Sequence, residues 1–292
     1  MSRIHEALSK AARERKEKGP TELANTVVDI VTGMHNTPVE ADFGTVIETH
    51  ESPLPTYDQI AMRCARPKWQ LDPQAHVFLS TSSKKRVGAE RFRTLRSRLC
   101  QISETRKLQA ILVTSSLPSE GKSFVAANLA QSLVHLQNRR VLLIDGDMRL
   151  ASQHNIFGAP RTPGLANYLQ GESDECDVIQ KGLGSDVFLI PAGDEVENPG
   201  ELLLSDRMKK LLKLSTQAFD WVIIDSPPSL VVHDSSLLAD LCDGVLFVVR
   251  AARTDFETAA KAAEEFRQKN LLGVVFNCAE ETESSYGENY YS

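Results

Sequence analysis

Ser116-Leu-Pro-Ser-Glu-Gly-Lys-Ser123 places a lysine and a serine directly after a glycine, between the apolar run Ile111-Leu112-Val113 and a helix-patterned stretch from Phe124 to Leu136. A turn of this kind at a helix start points successive backbone N–H groups, and the positive end of the helix dipole, at one place, which suits a polyphosphate. Lys122 would reach the β- and γ-phosphates of a nucleotide such as ATP, and Ser123 would ligate Mg²⁺. Ser116, Pro118, Ser119, Glu120, Gly121 and Phe124 complete the candidate nucleotide-binding stretch. The general pattern asks for glycine where this chain has Ser116, so the motif by itself also fits a serine-rich strand-to-helix turn.

Carboxylates supply the second half of the chemistry. An apolar run near 140–145 ends in Asp145-Gly-Asp147-Met-Arg149, and another near 220–225 ends in Asp225-Ser-Pro-Pro228. Each aspartate alone reads equally well as a strand-end or helix cap. Together, on strands of one open α/β sheet, they reach the carboxyl edge where ligands bind, beside Lys122 and Ser123. A nucleotide–Mg²⁺ site needs that convergence, because phosphoryl transfer depends on in-line positioning and charge neutralisation.

The elements that would position these residues follow from periodicity. Short apolar runs near 109–115, 140–145, 187–191, 220–225, 244–250 and 272–277 alternate with helical patterns near 86–102, 121–137, 199–214, 235–241 and 255–269. That texture predicts an α/β fold of one main domain over 76–279, with a mostly parallel central sheet flanked by helices on both faces; the phosphate-binding loop at Ser116–Ser123 makes it P-loop NTPase-type. Residues 1–19 hold a short amphipathic helix, with Ile4, Ala7, Leu8 and Ala11 at helical spacing among six basic residues and three glutamates, and Gly19-Pro20 stops it. From 20 to 75 the chain carries six of its thirteen prolines and mostly acidic charge, so a flexible linker is expected, with only Val27–Val31 able to dock. Residues 280–292 contain four glutamates, no basic residue, and Tyr286, Tyr290 and Tyr291, which describes an acidic tail unstructured when alone.

Composition narrows the class. At 292 residues and 41% hydrophobic the chain suits one large soluble domain with appendages. No apolar run approaches the ~20 residues of a membrane-spanning helix, and the start lacks the apolar core of a secretory signal, so a cytoplasmic protein is expected. Five scattered cysteines indicate neither a disulfide framework nor a zinc site. A net charge of −6 argues against general nucleic-acid binding.

The run Thr114 to Ser123 continuing through Asn128-Leu-Ala130 resembles the bacterial tyrosine kinase family, the CpsD/CapB-like cytoplasmic autokinases of polysaccharide export, in which serine at the first loop position is usual. Asp145 to Arg149 and Ile223 to Pro228 match the family's two aspartate strands. Further matches are His154–Gly158, Ile190–Gly193, Asn198–Leu202 and Asp243–Arg250, so the likeness covers about residues 77 to 279. Two departures are Ala151, where the family has proline, and Ser119, where it often has glycine.

The resemblance implies that Lys122 holds the phosphates, Ser123 binds Mg²⁺, and Asp147 and Asp225 hold the metal through water. Asp145 is then the candidate acceptor for the proton of the attacking tyrosine hydroxyl, since a phenol with pKa ~10 is a poor nucleophile at neutral pH. Asn277 resembles an asparagine that related folds use near the adenine. Glu90, Arg93 and Arg96 are similar to the family's Glu-x-x-Arg-x-x-Arg element at a subunit interface. They share one helix face by their spacing of three, although the same basic stretch also reads as a solvated face. The terminal tyrosines become substrates for a neighbouring copy in a homo-oligomeric ring. A separate membrane activator that recruits the chain to the inner face of the membrane, and a phosphotyrosine phosphatase, become expected partners. The rival reading is a partition- or positioning-type ATPase of the same nucleotide-binding fold, whose signature loop lysine is Leu117 here; a nucleotide-binding regulator without kinase activity is a third.

Overall fold

The computed structural model describes residues 54–70, 86–137, 139–182 and 187–279. The expected N-terminal helix, the Val27–Val31 segment and the tyrosine tail lie outside the described residues.

In chain order the elements are α1 (Tyr57–Arg63), α2 (Arg86–Thr105), β1 (Ala110–Ser115), α3 (Lys122–Val134), β2 (Val141–Asp145), α4 (Gln153–Phe157), α5 (Leu165–Gln170), α6 (Glu175–Val178) and β3 (Gln180–Lys181). There follow β4 (Val187–Ile190), α7 (Pro199–Leu203), α8 (Asp206–Ala218), β5 (Trp221–Asp225), α9 (Asp234–Ala239), β6 (Gly244–Arg250), α10 (Phe256–Arg267) and β7 (Leu271–Asn277). The strands form one seven-stranded sheet ordered β3-β4-β2-β5-β1-β6-β7, in which only the β3–β4 pair is antiparallel.

Both faces of the sheet are covered, which is why its strands read as unbroken apolar runs. Alternate side chains of each strand enter different cores. Ile111, Val113, Val141, Leu143, Ile223, Leu246 and Val248 pack with α2 and α3 through Leu99, Val125, Leu129 and Leu133. Leu112, Leu142, Ile144, Val222, Ile224, Val245 and Phe247 pack on the opposite face with Leu211 and Leu214 of α8, Leu238 of α9 and Phe266 of α10. The register sets Asp145 of β2 beside Asp225 of β5, and Asp225 beside Val113 of β1, so the carboxylates and the loop after β1 emerge at one edge.

Three features differ from the sequence expectation. The stretch assigned to a linker contains α1, and the compact unit that holds the sheet begins at Pro53 rather than at 76. Thr56 and Gln59 cap α1 reciprocally. Tyr57 packs edge-on against Phe188 and Phe219, with ring centroids 5.8 and 5.9 Å away, under the Arg140 guanidinium. Trp69 lies 5.3 Å from the Phe157 ring and donates to Gln180 Oε1. These partners stand 83 to 162 residues downstream, so no local pattern shows them.

The single helix expected over 199–214 is two, α7 and α8. Ser205 breaks it, because its side chain accepts from Met208 N and starts a new helix. The two-residue β3 and the short helices α4, α5 and α6 carry too few residues to show a period.

Candidate nucleotide-binding active site

The loop after β1 is held from several sides. Gly121, at φ 91°, turns the chain into α3, and a Cβ there would fall 2.0 Å from Asn277 Nδ2. Ser119 also takes a left-handed φ of 65°, a conformation that L-residues other than glycine reach only at a cost. Glu120 is buried and organises the loop: its Oε2 accepts from Leu117 N at 2.6 Å and Ser116 Oγ at 3.0 Å, while Oε1 accepts from Thr254 Oγ1 and Arg250 N at the end of β6. Asn277, at the end of β7, donates to Glu120 O at 2.9 Å, so the described structure places it against the loop backbone. The chain after β5 runs alongside, with Ser229 N and Leu230 N donating to the Ser115 and Ser116 carbonyls.

Lys122, the first residue of α3, reaches across the sheet edge. Its Nζ lies 2.8 Å from Asp147 Oδ2, 3.3 Å from Ser123 Oγ and 3.9 Å from Asp225 Oδ1. Burial works to lower the lysine's pKa, but Asp225 and Asp147 outweigh it and hold it above its ordinary value. Asp147 Oδ1 accepts from Leu150 N, which fixes the carboxylate between the loop and the chain leaving β2. The glycine between Asp145 and Asp147 permits the approach, because a Cβ on Gly146 would sit 2.8 Å from the Asp225 carbonyl.

Asp145 and Asp225 are fully buried. Asp145 Oδ2 accepts from Ser152 N and Gln153 N at the start of α4. Asp225 Oδ2 accepts from Gln153 Nε2. Neither Oδ1 atom has a hydrogen-bond partner. Burial, then the neighbouring Asp225, pushes the Asp145 carboxyl up to about 8. Burial likewise raises Asp225, against the pull of Lys122.

The edge therefore brings together Ser116 to Ser123, Asp145, Asp147, Asp225 and Asn277. Phe124 follows on α3 and packs edge-on with Phe92 of α2. Glu90 and Arg93 sit on the exposed face of α2 and pair with each other, whereas Arg96 donates to the Ser132 carbonyl of α3 at 2.6 Å. Sequence reasoning missed Gln153, Glu120's organising role and the Arg149–Asp234 fork, with Nε–Oδ2 at 2.8 Å. Glutamine carries no charge and belongs to no motif, so only its position close after the aspartate strand could have drawn attention to it.

The donor set fits a hard cation. Buried carboxylate oxygens without hydrogen-bond partners and a serine hydroxyl are oxygen ligands, and burial raises two of the carboxyls, disfavouring their charged form until a cation is present. Among the described residues no cluster of three or more metal-binding side chains is preformed. Mg²⁺ does not need one, since it takes one or two carboxylates and fills its shell with water and phosphate oxygens.

A glycine-gated loop on a helix N-terminus, a lysine and edge aspartates on a mostly parallel sheet define a P-loop nucleotide-binding protein. Residues 110–265 match the family model described as an AAA domain. The chain is 35% identical over 206 residues to tyrosine-protein kinase YwqD of Bacillus subtilis, covering 70% of this chain and 86% of that one. It is 33% identical over 202 residues to tyrosine-protein kinase CpsD of Streptococcus agalactiae, covering 68% and 86%. The solved kinase domain of the Escherichia coli tyrosine kinase ETK superposes with a TM-score of 0.64 at 27% identity, over 79% of this chain and 94% of that one. The chain belongs to the bacterial tyrosine kinase family, and its enzyme class is protein-tyrosine kinase. The rival partition-type ATPase is not favoured by these relatives.

Proposed function

We propose that the chain is an ATP- and Mg²⁺-dependent tyrosine autokinase. Its acceptors are Tyr286, Tyr290 and Tyr291 of a neighbouring copy in a ring, and its phosphorylation state governs capsular or exopolysaccharide synthesis and export. The observation that carries the reading is the convergence of Lys122, Ser123, Asp147 and Asp225 within one buried edge, with carboxylate oxygens left without partners. The terminal tyrosines support the acceptor assignment, because a short acidic segment with no basic residue offers no core in which to bury aromatic rings.

The loop N–H groups and Lys122 bind and orient the phosphates. Ser123, Asp147 and Asp225 would hold Mg²⁺, which supplies neutralisation of charge on the transferring phosphoryl group. Lys122 exchanges its contact with Asp147 for the β- and γ-phosphates. Asp145, buried behind the loop, accepts the tyrosine proton at Oδ1. Burial raises the Asp145 carboxyl, so once ionised it is a stronger base toward the tyrosine hydroxyl than an exposed aspartate.

Glu90, Arg93 and Arg96 would contact the adjacent copy. A separate membrane activator would recruit the ring to the inner face of the membrane. Phosphorylating the tail adds negative charge beside its glutamates, which weakens its docking and dissolves the ring; a phosphotyrosine phosphatase would reset it. The test is Asp145→Asn: ATP binding largely retained and phosphotyrosine abolished. Wild-type autophosphorylation in that variant would reject the role of Asp145, and unchanged sedimentation of Arg93→Ala/Arg96→Ala would reject the interface.

A further inference from the structure

Gln153 is the first residue of α4 and is fully buried. Its side-chain nitrogen donates to Asp225 Oδ2 at 2.8 Å and to the Ser123 carbonyl at 3.1 Å, and its backbone N–H donates to Asp145 Oδ2 at 2.9 Å. One residue thus ties together β2, β5 and the first turn of α3. A carboxylate only accepts hydrogen bonds, so the amide must present its nitrogen to Asp225, which leaves Gln153 Oε1 without a partner. Burying an unpaired carbonyl oxygen disfavours the fold, so the side chain is not placed there for stability alone.

The geometry points to a function. With Oδ2 of Asp225 held by Gln153, Oδ1 is the oxygen left to act, and it is the one 3.9 Å from Lys122 Nζ. The bond to the Ser123 carbonyl fixes the residue whose hydroxyl is another of the three expected ligands. From these contacts we infer that Gln153 is a positioning residue. It sets the orientation of Asp225 relative to Ser123, and so determines how tightly the site takes up the divalent cation that accompanies the nucleotide. This rests on the reading of the site as a nucleotide–Mg²⁺ site. Partners that orient metal-holding carboxylates typically change metal affinity by ~10- to 100-fold when removed.

The test uses the full chain and equilibrium binding of a fluorescent ADP analogue, measured in EDTA and across a Mg²⁺ titration. Gln153→Met keeps the volume and removes the amide; Gln153→Asn keeps the amide and retracts it. Both should bind the analogue in EDTA within about twofold of wild type, while the Mg²⁺ concentration for half-maximal tightening rises about tenfold or more. In an Asp225→Asn background Gln153→Met should shift that midpoint no further, because the two residues act through one contact. An unshifted midpoint in either folded variant, equal weakening with and without Mg²⁺, or additive shifts would overturn the inference. Failure of both variants to fold would overturn it too, by making Gln153 a structural residue. If the wild type showed no Mg²⁺-dependent binding, the nucleotide–Mg²⁺ reading itself would fall, and this inference with it.

Discussion

Lys122 Nζ rests 2.8 Å from Asp147 Oδ2, so the lysine expected to hold phosphates is held in advance by a carboxylate expected to hold the metal. The two are buried together at the sheet edge, with side-chain exposures of 12% and 2%. Nucleotide and cation would separate the pair, each charged group taking a new partner of opposite sign.

Replacing Lys122 with methionine removes the cation that offsets Asp147 and Asp225. Phosphotransfer should fall at least about 100-fold, as expected where one electrostatic contact to a transferring group is lost. Breaking a buried pair by removing one partner typically destabilises by ~3–5 kcal/mol. The loss should be visible in chemical denaturation at pH 8 and smaller at pH 5, toward which burial brings the protonation of Asp225. Equal stability of wild type and variant at pH 8 would show that the lysine is not compensating them.

Asp145 gives a pH dependence of defined sign. Its carboxyl is raised to about 8 in the folded chain, so between its unfolded value and 8 the native state binds the extra proton. The stability this contributes is complete below the unfolded pKa and is lost as pH rises through about 8. Asp145→Asn, which cannot ionise, should therefore raise the melting temperature of the nucleotide-free chain by ~3 °C or more at pH 8.5 and change it little at pH 4. A gain of the same size at both pH values would contradict the burial argument.

The loop backbone offers a paired test. Ser119→Gly relieves a left-handed φ and should stabilise the chain by ~0.5–1 kcal/mol. Gly121→Ala meets both a φ of 91° and the Asn277 amide at 2.0 Å, and should weaken nucleotide binding at least about tenfold while destabilising by ~1–2 kcal/mol. Urea denaturation with nucleotide titration separates these effects. Nucleotide binding by Gly121→Ala at wild-type affinity would show that the loop tolerates a side chain there.

Tyr57→Ala tests whether residues before 76 belong to the domain. The ring is half-buried between Phe188 and Phe219, so the substitution should lower stability by ~2 kcal/mol, less than the 3–5 of a fully buried aromatic. Unchanged stability would return this stretch to the status of a linker.

What the sequence made legible was set by how local each signal is. The strands bearing Asp145 and Asp225 and the Gly-Lys-Ser turn announce themselves within ten residues, because an apolar run followed by a polar break is itself the strand-end signal. The same run could not show Gln153, whose role depends on two residues 30 and 72 positions away. Nor could it show α1, where Tyr57 and Ile60 supply one turn of apolar contact among prolines and only the distant Phe188 and Phe219 make that turn worth forming. Ser205, by contrast, carried its helix-starting signal in plain view, and the continuous apolar spacing on either side concealed it.

Under the proposed function, this edge transfers phosphate from ATP to the tyrosines of residues 280–292. Purified full chain incubated with γ-labelled ATP and Mg²⁺ should acquire phosphotyrosine that maps to Tyr286, Tyr290 or Tyr291. A chain ending at residue 279 should acquire none while still binding nucleotide. Nucleotide binding or hydrolysis by the full chain with no phosphotyrosine, or equal labelling of the two forms, would contradict the account.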